Sequence, residues 1–164
     1  MKYKLTDEKI KHYDKTLYRI QALIDFGNVE AGDLGGYIES EENLSQEGNC
    51  WIDHQAKVSG NAKVLDNALI SGNAKVLDNA LISGNAQVYD NAWVYGNARI
   101  SGNARVYDDA WVFGNARVYD NVWVFGNARV YDNVWVFGNA WVFDNAWIPG
   151  DAQIKDGFIG EEKI

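Results

Sequence analysis

From Gln46 to Gln153 the chain repeats one six-residue phrase without a gap: aliphatic, variable, Gly or Asp, Asn, Ala, variable. Val64-Leu65-Asp66-Asn67-Ala68-Leu69 is one of 18 copies, and Val112-Phe113-Gly114-Asn115-Ala116-Arg117 is another. So short and unbroken a period constrains the fold more than any other feature here. It predicts a solenoid, in which each unit buries its apolar side only against its neighbours.

The first position is Ile or Val in 17 copies, Gln46 being the departure. The fifth is Ala in 15, with Cys50, Val122 and Val134 as exceptions, and the fourth is Asn in 15, with Gln55, Asp109 and Asp151. β-Branched residues suit strands, and Asn tolerates the left-handed backbone region. Each hexad therefore reads as a short strand, a corner at Gly/Asp-Asn, and a small residue tucked inside the bend. Alternation then points the aliphatic residue inward and the second and sixth positions outward. The reverse would bury Lys57, Lys63, Arg99, Arg105, Arg117 and Arg129 in a narrow core, at high desolvation cost.

Gly-type and Asp-type hexads alternate, except at Val94–Arg105, where two Gly-type copies follow each other. The other positions stay in phase through that break, so the unit is the hexad. Three hexads per coil give an all-β parallel β-helix of triangular section, with 18 residues per coil and about six regular coils. Two hexads per coil would make a flat ribbon. At about 4.8 Å per rung the rod is roughly 29 Å long. Alternation on every face would hold like charges about two rungs apart, while Asn at every rung allows side-chain amide ladders.

Residues 1–33 do not repeat and are assigned as an N-terminal β cap, with a strand over Thr16–Ile24 and turns at Gly27-Asn28 and Ala31–Asp33. Such a cap covers the open end of the core. Residues 34–45 read as an irregular first coil, 46–153 as the hexapeptide-repeat β-helix, and 154–164 as a C-terminal cap or tail.

Net charge is −8, spread along the chain, with 23 acidic and 15 basic residues. Direct nucleic-acid binding needs clustered Lys and Arg, so it is not expected. No apolar run long enough for a membrane span is present, and a cytoplasmic protein without a membrane partner is expected. The single cysteine, Cys50, rules out an internal disulfide and reads as a small buried side chain.

The hexad resembles the hexapeptide repeat of left-handed β-helix proteins, the acyltransferase-like superfamily; the left hand is implied by that likeness. Gly32-Asp33-Leu34-Gly35-Gly36-Tyr37, Gly48-Asn49-Cys50-Trp51 and the GNARV-type repeats resemble a family of phage and prophage proteins. These are similar to the bacterial YdcK-like proteins. The likeness brings no catalytic residues with it, and fold alone confers no activity.

Candidate chemistry is sparse. Hexapeptide acyltransferases, which the fold resembles, use a histidine base and a loop extruded from a coil. His54, beside Asp53, is the candidate base, and no insertion interrupts the hexads to wall a pocket. Two histidines are too few for a three-histidine zinc site, and corner carboxylates standing singly do not make a calcium cage. No cofactor and no metal are expected.

Aromatic residues dominate the outward positions. All seven tryptophans are sixth-position residues, and nine second positions from Tyr89 to Phe143 are Tyr or Phe. The expected protein-binding set is Trp93, Tyr95, Trp111, Phe113, Trp123, Phe125, Trp135, Phe137, Trp141, Phe143, Arg105, Arg117 and Arg129. Eighteen residues back is the same place one coil below. Arg105 is thus expected against Trp123, Arg117 against Trp135, and Arg129 between Trp111 and Trp147, as cation–π stacks. Such an area exceeds what monomers usually leave exposed. The expected function is therefore a non-catalytic, phage- or prophage-encoded interaction protein. It would form a dimer or trimer and bind a host protein, plausibly to inhibit a host defence system. An acyltransferase using His54 and a purely structural or polymerising rod are the alternatives.

Overall fold

The computed structural model describes residues 1–161; the end of the expected tail, Glu162–Ile164, lies outside the described residues. The hexads form three sheets that close a triangular prism. After the cap, the chain visits the first face at Leu34–Ile38, the second at Leu44 and the third at Trp51–Ile52, then repeats that order. All strand pairings between coils are parallel and, in the regular part, 18 residues apart, as in Trp93↔Trp111 and Arg99↔Arg117.

The core is one stack. Every first-position Val or Ile from Ile52 to Ile148 is fully buried, as is every fifth-position residue from Cys50 to Ala146 except Ala80, which is 1% exposed. Outward flanking residues are half-buried over most of the coils, and a minority are exposed. The second-position and sixth-position columns therefore run as parallel stripes up each face.

Two expectations need correcting. The left-handed corner residue is not Asn but the third-position Gly or Asp, with φ of 54–62° at Asp66 through Asp144. Asp can hold this conformation because its carboxylate accepts the backbone N–H of the third-position residue one coil on: Gly84 N–H from Asp66 at 2.9 Å, Gly126 N–H from Asp108 at 3.0 Å. Strict charge alternation also fails. The Gly-Gly slip brings Asp90 and Asp108 onto adjacent rungs of the edge between the third and first faces, with Asp109 alongside. About seven rungs form, the regular coils standing on the expected irregular first coil, whose Leu34–Ile38 and Leu44 pair with the coil above. Gln46 departs from the repeat for a structural reason: its side-chain carbonyl accepts the Lys2 and Tyr3 amides, clamping the cap.

The Asn ladders form. On one edge Asn61, Asn79, Asn97, Asn115 and Asn133 bond in series and end on Asp151. A second runs from Asn67 through Asn85, Asn103 and Asn121 to Asn139. On the third edge, among the described residues, Asn127 donates to Asn145, and Asp109 one coil below has no amide to pass to Asn127.

The N-terminal segment is an antiparallel hairpin of β1 (Tyr3–His12) and β2 (Lys15–Ala22), and β2 pairs with β3 (Leu34–Ile38) at the bottom of the first face. The pattern over 16–24 suggested β2 alone; β1 mixes charge with apolar residues and hides its period. Lys2 is buried, its ammonium held by the Cys50 carbonyl at 2.8 Å and lying over Phe26. Burial pushes the Cys50 thiol above its ordinary value, outweighing the opposite pull of Lys2.

Candidate functional site

The prism divides the expected aromatic set over three faces. Trp93, Tyr95, Trp111, Phe113 and Arg129 share the first face with Tyr131 and Trp147. Arg105, Trp123, Phe125, Trp141 and Phe143 lie on the third. Arg117, Trp135 and Phe137 lie on the second. A six-residue period visits each face once in three, so neighbours in sequence are not neighbours on the surface.

Within a face the rings stack up the rod axis. Tyr95, Phe113 and Tyr131 follow at centroid spacings of 4.8 and 4.9 Å, within 2° of parallel. Tyr89, Tyr107, Phe125 and Phe143 follow at 4.9, 5.1 and 5.5 Å, within 13° of parallel. Trp93 stacks on Trp111 at 5.6 Å and Trp123 on Trp141 at 5.0 Å. The rung spacing sets these distances, and it matches the offset-stacked optimum of aromatic pairs.

The cation–π pairs fall where the 18-residue shift puts them. Arg105 lies 5.3 Å from Trp123 and Arg117 5.0 Å from Trp135; Arg129 is closest, 4.3 Å from Trp111, and pairs in register with Trp147. Lys75 over Trp93, at 5.1 Å, is a further pair that the same shift could have found. Arg129 also donates to the carbonyls of Asp109, Asn127 and Ala128. Burial, the largest cause, raises the Tyr89, Tyr95 and Tyr107 hydroxyls above their usual value, so these phenols stay neutral.

Stacking covers ring faces and leaves ring edges outward, so much of the aromatic area is spent within the rod. Trp93, Trp111 and Trp123 are half-buried, whereas Trp135 and Trp141 reach 37% exposure and Trp147 47%. On the first face Trp111, Phe113, Arg129, Tyr131 and Trp147 surround a shallow, mostly apolar dent of about 200 Å³.

His54 occupies a third position with φ +55° and projects from its corner. Its Nδ1 lies 3.5 Å from Asp53 Oδ2. The coils extrude no loop, but the cap supplies one. Its turn at Gly27, Asn28 and Val29 walls a groove of about 360 Å³ that Trp51, Asp53, His54, Ser71 and Gln87 complete. The expectation that nothing walls a pocket near His54 is thus corrected, since the folded-back cap does so from outside the repeat. Among the described residues no His, Cys, Asp and Glu cluster has metal-binding geometry, and no helix is long and apolar enough to cross a membrane.

The YdcK β-solenoid repeat family matches residues 86–99 and 98–112. These fall in the middle coils, around the Gly-Gly slip. The chain is also 46% identical over 54 residues to a protein of Escherichia coli (strain K12) named "Uncharacterized acetyltransferase YdcK". That stretch is 29% of this chain and 17% of the relative. The chain is thus a β-solenoid with YdcK-like repeats. The relative's name overturns the expectation of a protein without catalysis.

Proposed function

We propose that the chain is an interaction protein that engages a protein partner on its first face. The observation that carries this reading is the dent bounded by Trp111, Phe113, Arg129, Tyr131 and Trp147, where exposed ring edges and a guanidinium meet. Trp, Tyr and Arg are the residue types that dominate binding hot spots. Rings stacked face to face along the rod offer no broad platform for a sugar or a nucleobase, whereas protein side chains and carbonyls pack against ring edges. The phage and prophage resemblance supports a host protein as partner and interference with a host defence as the task, and self-association into a dimer or trimer would cover a further face.

The test uses Trp111→Ala with Phe113→Ala as bait in a host lysate, beside the wild type and Trp135→Ala on the second face. A defined protein that co-purifies with wild type and Trp135→Ala, but not with the double variant, supports the assignment. Equal capture by all three refutes it. Light scattering on the pure protein reads the oligomer.

A second reading is acetyl transfer in the cap-walled groove. It is favoured by the His54–Asp53 pair lining that groove and by the relative's name. His54 would act as general base, oriented by Asp53. Acetyl-CoA turnover that disappears in His54→Ala would support it; turnover unchanged in that variant would remove His54 from any such role.

A further inference from the structure

Acid and base are segregated in the coils. From Lys57 to Pro149 every outward strand position is a cation, an aromatic or a neutral residue, and every carboxylate sits at a corner. Asp66, Asp78, Asp90, Asp108, Asp120 and Asp132 each turn an oxygen to a backbone amide one coil on. Among the described residues the face cations form no salt bridge; the ion pairs all lie at the cap and first coils. A chain of net charge −8 therefore presents positive faces between negative edges.

The second face carries this furthest. Lys57, Lys75, Arg105 and Arg129 on the other faces are half-buried against rings or carbonyls. Lys63, Arg99 and Arg117 are exposed, Arg117 even with Trp135 against it, and all three are on the second face. Arg99 and Arg117 are register neighbours on adjacent rungs, about 4.8 Å apart along the axis. The Gly-Gly slip sets their surroundings: Gly96 and Gly102 flank Arg99 and Gly114 precedes Arg117, while the displaced carboxylates of Asp90, Asp108 and Asp109 gather on the opposite edge of the prism. Asp120, on the corner after Arg117, gives its carboxylate to the Gly138 amide. Two like charges one rung apart repel unless a counter-charge lies between them. Two guanidinium forks at that spacing suit a carboxylate that both can reach.

We propose that the second face from Lys63 to Arg117 is a docking strip for an acidic polypeptide segment, whose carboxylates bridge Arg99 and Arg117. The half-buried Ser83 and Ser101 hydroxyls beside the cations add neutral donors. A nucleic acid fits less well. Its uniform charge density needs more phosphate contacts than three cations give, and corner carboxylates such as Asp66, Asp78 and Asp132 border the strip. The strip is on a different face from the aromatic dent and does not rest on the binding proposed there.

The experiment is fluorescence anisotropy of a labelled dodecapeptide of alternating Glu and Ser against the full chain at low salt. Arg99→Gln with Arg117→Gln is expected to weaken binding by about tenfold or more, as loss of charge-assisted hydrogen bonds does. Lys75→Gln, which removes a cation from the first face, is expected to leave it unchanged within about twofold. Circular dichroism checks the fold of each variant. Arg99→Lys with Arg117→Lys, which keeps charge but removes the forks, is expected to fall between wild type and the glutamine pair. No peptide binding by the wild type overturns the proposal, as does equal binding by the glutamine pair. Tighter binding of a single-stranded oligonucleotide of equal charge overturns the choice of a polypeptide.

Discussion

Replacing Gly102 with alanine tests the corner on which the whole rod depends. Gly102 holds φ +66°, and a Cβ there would stand 2.6 Å from the Asp120 nitrogen and 3.0 Å from its Cα, both backbone atoms of the next coil. Gly150 holds φ +81° at the last such corner, with nothing within 4 Å of its Cβ position. The left-handed strain, about 1–2 kcal/mol, is common to both substitutions. At Gly102 the clash adds about 1–3 kcal/mol, as overpacking does, because backbone in a paired rung cannot swing aside. Gly102→Ala should thus cost about 2–5 kcal/mol against about 1–2 kcal/mol for Gly150→Ala. Gly102→Asp separates sterics from polarity. Aspartates at other corners reach 2.9–3.3 Å from the amide one coil on, and a charge-assisted bond of that kind offsets about 1.5 kcal/mol. Like-charge stacking on Asp120 removes part of that gain, as at Asp90 over Asp108, where the bond is 3.3 Å. Aspartate should therefore rank between glycine and alanine. Urea denaturation at equilibrium, followed by circular dichroism and tryptophan fluorescence, gives the ranking. Gly102→Ala no worse than Gly150→Ala would refute the steric argument, and aspartate worse than alanine would refute the corner hydrogen bond.

Asn103→Ala breaks two ladder bonds at once, to Asn85 and to Asn121, each 3.2 Å. Since both are solvent-exposed, a loss of about 1 kcal/mol is expected in the same assay, and no loss would make the ladders ornamental. Burial, then Lys57 and Lys75, hold the His12 imidazole below its ordinary value of 6.5. The unfolded chain then binds the proton more readily than the folded one, so stability is kept above about pH 6.5 and falls as pH drops from there toward the folded value. Lys75→Gln should raise the His12 midpoint in an NMR titration; an unmoved midpoint would exclude that lysine as a cause.

The hexad alone carried the rod: its core of first-position Val and Ile, its Ala corners and its outward columns are local consequences of strand alternation repeated at a fixed period. It also carried the partners of Arg105, Arg117 and Arg129, because a shift of 18 residues is arithmetic on the sequence. What the period could not show was how a stripe of aromatics divides in space. Trp111, Trp123 and Trp135 read as one continuous run, but closure into a prism sends them to three faces that share no surface. The Gly-Gly slip likewise looked like a blemish in an alternation. Only the coil turns it into a dense acidic edge at Asp90, Asp108 and Asp109 opposite an exposed Arg99–Arg117 pair. The groove beside His54 was hidden for a related reason: its outer wall, Gly27–Val29, belongs to a segment outside the repeat. A repeating sequence determines what each residue does to its own rung, while contacts between faces, edges and cap depend on the three-dimensional closure of the chain, which brings together residues that no local pattern relates.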